Sequence, residues 1–340
     1  MFTRSHHSRR RMSQQRIVLI LFVAVAVMTG LYFLGVHLDE LALNPEPTGD
    51  PGARFVYETT LEHGGHTYRQ KSSVTSILLM GIDAVETEQV SVGQRGKGQA
   101  DFLRLIVIDR STHTVSQLAI DRDTMAEITI LGVTGNTVGT RVDNISLSHS
   151  FGDGGEKSCE LTRQAVSRLL FGTRIDFYMS MNMNGIAALN DALGGVTVTL
   201  EEDMTSVRPG WTAGTTVTLT GDEAETFVRS RSTVGDGTNV SRMRRQQVFI
   251  SRAVSLLQER VKEDSEFVGT LFDALFPYLV SGIDRDRLVS IAYEAQDFSR
   301  PALCSIAGEY VIGEDGFNQF WPDEEALMEL TLSLFYTQTD

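Results

Sequence analysis

Apolar and polar positions along this chain follow two rhythms, one helical and one strand-like, after an opening segment that follows neither. Residues 17–36, "IVLILFVAVAVMTGLYFLGV", carry no charge. At helical rise the run spans about 30 Å, one bilayer core. It is longer than the usual apolar region of a cleaved signal peptide, and no clear small-residue cleavage site follows. Arg4, Arg9, Arg10, Arg11 and Arg16 precede it, and Asp39 and Glu40 follow it. Basic residues stay on the cytoplasmic side. The pattern predicts a cytoplasmic basic tail over 1–16 and one transmembrane signal-anchor helix over 17–36. The protein is then expected in the cell membrane as a single-pass chain, with everything after the anchor extracytoplasmic.

Residues 37–53 include "NPEPTGDPG", a proline- and glycine-rich stretch that reads as a stalk. In "FVYETTLEHGGHTYRQ" (55–70), Gly64-Gly65 separates two alternating runs, a hairpin signal. "VTSILLMGID" (74–83) is an apolar strand. Strands over 102–109 and 114–121 are joined by the polar turn "RSTH" (110–113). Apolar residues at helical spacing predict a helix over 156–171, and "IDFYMSMNM" (175–183) predicts a strand. "NGIAALNDALGG" (184–195) reads as a helix closed by glycine, followed by short strands "VTVTL" and "TTVTL". Thr220 and Glu223 have capping-box spacing and start the helix "DEAETFVRSR". Another helix is expected from Asn239 or Ser241 to about residue 261. "SEFVGTLFDALFPYLVSG" (265–282) and "DEEALMELTLSLFY" (323–336) suggest two more. Alternating strands and helices predict a three-layer α/β sandwich around a central mixed sheet, occupying residues 54–340.

Charge narrows the function. The chain has 44 acidic and 30 basic residues, a net charge of −14. Five of the arginines lie in the first sixteen residues, so the body is more acidic still. Nucleic-acid binding needs a broad basic face, and no nucleic-acid partner is expected. Against this background "VRSRSTVGDGTNVSRMRRQQ" (228–247) gathers Arg229, Arg231, Arg242, Arg244 and Arg245 around a loop with Gly235 and Gly237. Arg242, Arg245 and Gln246 are spaced to share a helix face in its first turns, where free backbone N–H groups favour anions. Arg229 and Arg231 end the preceding helix. Several planar guanidinium forks suit a diphosphate. The plainer reading is a solvated basic helix paired with surface acids.

The 102–121 hairpin gathers carboxylates at one sheet end. A turn centred near residue 112 sets Asp101 opposite Asp123, with Asp121 competing if the register slips. Arg122 lies among them, and Asp83 ends a neighbouring strand. Crowded carboxylates suit a hard divalent cation that takes its remaining ligands from phosphate. The plainer reading is strand-end aspartates paired with Arg122 or Arg104. The two cysteines, Cys159 and Cys304, either pair outside the membrane or stay separate buried thiols. A disulfide closing so long a loop would contribute about 4–5 kcal/mol.

"SILLMGID", "ADFLRLIVID", "LAIDRDT", "IDFYMSMNMNGIAALNDALGGVTVTL", "LTGDEAETFVRSR" and "SRMRRQQ" occur in an order and spacing that resembles the LytR–CpsA–Psr family over residues 74–260. Residues 262–340 match its motifs less firmly. The resemblance implies a membrane-anchored phosphotransferase. Such enzymes move a glycopolymer, such as wall teichoic acid or capsule, from a polyprenyl-pyrophosphate carrier to a peptidoglycan hydroxyl as a phosphodiester. It implies Mg²⁺ (or Mn²⁺) on Asp101 and Asp123. It implies pyrophosphate contacts from Arg122, Arg229, Arg231, Arg242, Arg245 and Gln246. Asp83 falls at the family's first aspartate, so Asp83, Arg122 and Asp123 are the expected catalytic groups, with Asp83 or Asp123 as base. Three positions depart from the common pattern. Gln99 replaces an arginine, with Arg95 a substitute; Asp121 replaces a proline; Asn239 replaces an aspartate. Rival expectations are a hydrolase acting on the same pyrophosphate and a non-catalytic polyprenyl-phosphate-binding scaffold. A weaker one is a DNA-binding regulator using "SRMRRQQVFISRAV".

Overall fold

The computed structural model describes residues 55–84, 98–132, 134–230, 234, 239–264, 266–314 and 316–340. The expected anchor (17–36), the stalk, Arg95, Arg231 and most of the glycine loop lie outside the described residues. Among the described residues, no helix is long and apolar enough to cross a membrane.

The described residues open with hairpin β1 (Thr60–His63) and β2 (His66–Gln70), then β3 (Val74–Ile82), β4 (Ala100–Asp109) and β5 (Thr114–Ile120). A second hairpin follows, β6 (Met125–Leu131) and β7 (Thr137–Asn144), then a 3-10 turn, Ile145–Phe151. Next come α1 (Glu156–Leu169), β8 (Phe177–Asn182), α2 (Gly185–Ala192), β9 (Thr197–Thr199), β10 (Thr216–Thr218), α3 (Gly221–Arg229) and α4 (Asn239–Glu263). The remainder is α5 (Phe267–Leu275), β11 (Leu279–Ser281), α6 (Arg285–Glu294), β12 (Cys304–Ser305), β13 (Gly308–Ile312), β14 (Asn318–Pro322), α7 (Glu324–Phe335) and β15 (Tyr336–Gln338).

The central sheet has six strands in the order β11-β8-β3-β4-β5-β12. It is mixed: β3 runs parallel to β8 and antiparallel to β4, and β12 runs parallel to β5. Directly paired residues share a face. On one face Leu78, Met80, Leu103, Leu105 and Leu118 are sealed from solvent. There α1 meets the sheet, and Cys159 Sγ lies 3.2 Å from Ser180 Oγ of β8. The opposite face packs Ile77 and Ile108 against Ile291 of α6, with Ile283, Ala295 and Phe298 around it. Helix, sheet and helix make the expected three layers. The second face is covered less well: Leu79 and Ile106, on interior strands, and Phe177 and Met179 stay partly exposed. A separate core joins α2, β9, α3 and α4 through Leu193, Val198, Trp211, Phe227, Phe249 and Ala253.

Several expectations are corrected. The stretch 265–282 is not one helix. It is helical to Leu275, tightens into a 3-10 turn at Phe276–Tyr278, and ends as β11 against β8. Pro277 has no N–H for the ladder, so α-helix gives way there. Of the two alternatives for the cysteines, separate thiols hold: Cys159 is free and buried on α1, and Cys304 is free and only part-buried on the edge strand β12. Cys159 contacts β8, four strand positions from β12. That separation is about 19 Å, far beyond the reach of a disulfide. The hairpin β6–β7 and helix α6 were not anticipated.

Asp109 closes the β4–β5 turn and helps set its register. Its carboxylate accepts from Ser73 Oγ (2.8 Å), Ser111 N (2.9 Å) and Ser111 Oγ (2.6 Å), and pairs with Lys71 Nζ at 3.2 Å. Lys71 also donates to Ser333 O and Leu334 O at the end of α7. Burial raises the Asp109 pKa, but the hydroxyl, amide and ammonium donors outweigh it and hold the group at about 2. A depressed carboxylate contributes stability above its unfolded pKa, and that stability is lost as pH falls through the folded value. The gap in unfolding free energy between wild type and Asp109→Ala should therefore narrow by roughly 2 kcal/mol between about pH 5 and about pH 2. Urea titrations across that range measure it; a gap that does not change with pH would contradict the assignment.

Candidate active site at the strand ends

The β4–β5 ladder pairs Asp109 with Thr114 and Leu103 with Ile120. Continued by two residues, it sets Asp101 opposite Arg122 rather than Asp123. The four-residue turn centres half a residue earlier than expected, and that shifts the opposed position by one. Arg122 Nη1 lies 2.6 Å from Asp101 Oδ1, as an ion pair whose angle does not make a hydrogen bond. Arg122 Nε reaches Asp123 Oδ1 at 3.3 Å, and Nη2 donates to Gln99 Oε1 at 2.7 Å. One guanidinium thus crosslinks two carboxylates and an amide. Gln99, where the common pattern has arginine, orients Arg122 here.

Asp83 and Asp101 are brought together by the backbone. Both amides donate to Gln99 O, at 3.0 and 3.1 Å. Burial pushes Asp101 up to about 6; Arg122 opposes this, Asp83 adds to it, and Arg242 opposes it in turn. Asp123 is also raised, by burial first, against Arg122 and with Asp121 adding. An uncompensated negative environment next to one arginine is therefore built into the strand ends. Arg242, in the first turns of α4, is among the charges that act on Asp101. Arg242 Nε is buried and has no hydrogen-bond partner among the described residues.

The other arginines divide by helix geometry. Ser241, Arg245, Phe249 and Ala253 recur every four residues on α4 and are all buried. This row faces the second core, so Arg245 (5% exposed) points inward while Arg242 lies one row over. Arg245 Nη1 pairs with Glu202 Oε2 at 2.7 Å and donates to Ser241 Oγ at 2.7 Å. Its Nε donates to Phe227 O at 3.1 Å, and its Nη2 donates to Ser230 O. In this structure Arg245, expected at the pyrophosphate, clamps the end of α3 to α4. Gln246 Nε2 donates to Val228 O at 3.3 Å. Arg229 is 41% exposed and paired with Glu225 one turn earlier. That last pairing was legible as i,i+4 spacing; Glu202, 43 positions before Arg245, had no local signal. Tyr310 and Asn144 were also missed: they donate to Asp121 Oδ2 at 2.5 Å and to Asp123 Oδ1 at 3.4 Å.

The LytR_cpsA_psr family model matches residues 55–329. The chain belongs to the LytR_cpsA_psr family. It is similar to the polyisoprenyl-teichoic acid–peptidoglycan teichoic acid transferase TagU of Bacillus mycoides (strain KBAB4), with 31% identity over 272 residues covering 78% of this chain and 79% of that protein. TagU of Bacillus cereus (strain AH820) is 26% identical over the same shares. In fold it resembles the crystal structure of B. subtilis TagV, with a TM-score of 0.56 and 21% identity over 78% of this chain and 96% of that one. The LytR_cpsA_psr match extends past residue 262, so it takes in β13, β14 and the acid cluster they contact.

Arg245 and Arg242 should separate in stability. Arg245→Ala removes the guanidinium that ties part-buried Glu202 to the carbonyls of Phe227 and Ser230, leaving Glu202 only Ser241 and the longer Arg244 contact, and should cost about 1–3 kcal/mol. Arg242→Ala, which removes no observed hydrogen bond and only part of the charge acting on Asp101, should cost less, about 1 kcal/mol or under. Chemical unfolding of the two variants measures this, and equal stabilities would refute the division.

Proposed function

We propose that this protein transfers a glycopolymer, of the wall teichoic acid or capsule type, from a polyprenyl-pyrophosphate carrier to a hydroxyl of peptidoglycan. The relatives' names specify polyisoprenyl-linked teichoic acid as donor and peptidoglycan as acceptor. One observation carries the reading for this chain. The unpartnered donor of Arg242 belongs to the same electrostatic site as Asp101, Arg122 and Asp123.

Arg242 and Arg122 would hold the diphosphate, with Arg229 and Gln246 as further contacts and Arg231, outside the described residues, as a candidate. The acceptor hydroxyl attacks the polymer-side phosphorus. The new P–O bond forms as the bond to the bridging oxygen breaks, and polyprenyl phosphate leaves with that electron pair. Charge building on the bridging oxygen is stabilised by fixed guanidinium donors. Asp123 or Asp83 takes the hydroxyl proton; the raised pKa of Asp123 suits it to that work.

A divalent cation fits the donor set. Asp101 and Asp123 are crowded, part-buried carboxylates with raised pKa values that share a single arginine. Among the described residues no group of three or more metal-ligating side chains stands ready. The ion would then be Mg²⁺ or Mn²⁺, which needs only one or two carboxylates when phosphate oxygens supply the rest. When bound, it would neutralise phosphate charge. The partly exposed apolar residues Leu79, Ile106, Phe177 and Met179 suit an isoprenoid tail. Residues 17–36 would anchor the chain in the cell membrane, with the site outside it.

Arg122→Ala and Asp101→Ala should each lower polymer release from the lipid carrier by about tenfold to a thousandfold, judged by other preorganised donors. Chelation of divalent ions should stop release, and Mg²⁺ should restore it. Labelled carrier and peptidoglycan acceptor report the product. Wild-type rates in both variants would overturn the mechanism; free phosphate in place of a linked polymer would make the protein a hydrolase.

A further inference from the structure

The hairpin β13–β14 has contacts that the fold does not need. All five residues of β13 are exposed, and of the two strands only Phe320 is buried. An element that buries so little apolar surface adds little stability. Its polar contacts nonetheless converge on residues 121–124. Tyr310 Oη donates to Asp121 Oδ2 at 2.5 Å, and Asp121 Oδ1 accepts from Asp123 N at 2.8 Å. Phe320 N donates to Asp123 O at 2.8 Å. Asn144 Nδ2 bridges Asp123 Oδ1 and Asn318 O, at 3.4 and 3.2 Å. The Tyr310 ring is seated on Phe320, with centroids 4.9 Å apart. Asp123 is thus held at its amide, its carbonyl and one carboxylate oxygen by groups that the hairpin supplies or orients.

We infer that Tyr310 is a positioning residue, acting through Asp121 to hold Asp123 against Arg122; the kinetic part of this inference rests on the transferase reading above. β5 ends at Ile120, so residues 121–124 leave the regular ladder and need another restraint. Asp121 and Asp123 are like charges two residues apart, and free rotation would let them splay. The tyrosine hydroxyl fixes one oxygen of Asp121, and the other then holds the Asp123 amide.

The test uses full-length protein in detergent, with transfer kinetics and hydrogen exchange of the 121–126 peptide. Tyr310→Phe and Asp121→Ala should each lower kcat by roughly tenfold to a hundredfold with KM little changed, as expected for a misplaced catalytic group. Both should speed exchange at the Asp123 amide, and the double variant should be no worse than either single one. Asp121→Asn keeps an oxygen for that amide and offers its own N–H to the tyrosine oxygen. It should recover most of the rate and protection that Asp121→Ala loses. If Asp121→Asn falls as far as Asp121→Ala, the carboxylate charge matters and the inference fails. It also fails if Tyr310→Phe matches wild type in rate and exchange. A wild-type protein without transfer activity would sink the transferase reading alone, because the exchange arm still decides whether Tyr310 holds Asp123 through Asp121.

Discussion

The site depends on one guanidinium. Arg122 stands between Asp101 and Asp123 and is oriented by Gln99. A buried carboxylate beside other carboxylates is costly unless a cation shares the space. Arg122 supplies part of that charge, yet Asp101 still sits near 6. The compensation is incomplete, and burial still holds both carboxylates above their ordinary range. Remove the arginine and the same residues become an unstable acid cluster.

Arg122 gets its position from the β4–β5 hairpin. Asp109 ties down the turn through Ser73, Ser111 and Lys71, about ten residues from the site. Because strand side chains alternate with a period of two, a slip of one residue at the turn would turn Arg122 to the other face. A tightly bonded carboxylate at the far end therefore helps fix which residues face one another at the near end.

The arginine helix shows how one motif can serve two purposes. Arg245 lies in the row of α4 that faces the second core and is bonded to Glu202 and to the carbonyls of Phe227 and Ser230. Arg242 lies one row over, near Asp101, with a donor unspent among the described residues. The buried arginine bonds α4 to the end of α3 through the carbonyls of Phe227 and Ser230. A basic cluster in an acidic protein is thus part scaffold and part site.

Much of this was legible in the sequence. Alternation over 102–109 and 114–121, the polar turn between them, the Gly64-Gly65 hairpin and the Thr220–Glu223 cap all express local backbone preferences. The structure follows each of them. The gathering of Asp83, Asp101, Arg122 and Asp123 followed from strand ends alone. What local pattern could not supply was the partner of each charged group. Glu202 reaches Arg245 across 43 positions and Tyr310 reaches Asp121 across 189. Neither separation leaves a periodic trace, because a hydrogen bond between distant residues exists only after the chain has closed. The sequence by itself determined which groups are available and which strand ends they occupy. Tertiary packing decided which arginine is spent inside the protein and which keeps an unpartnered buried donor among the described residues, since burial and pairing are properties of the assembled core.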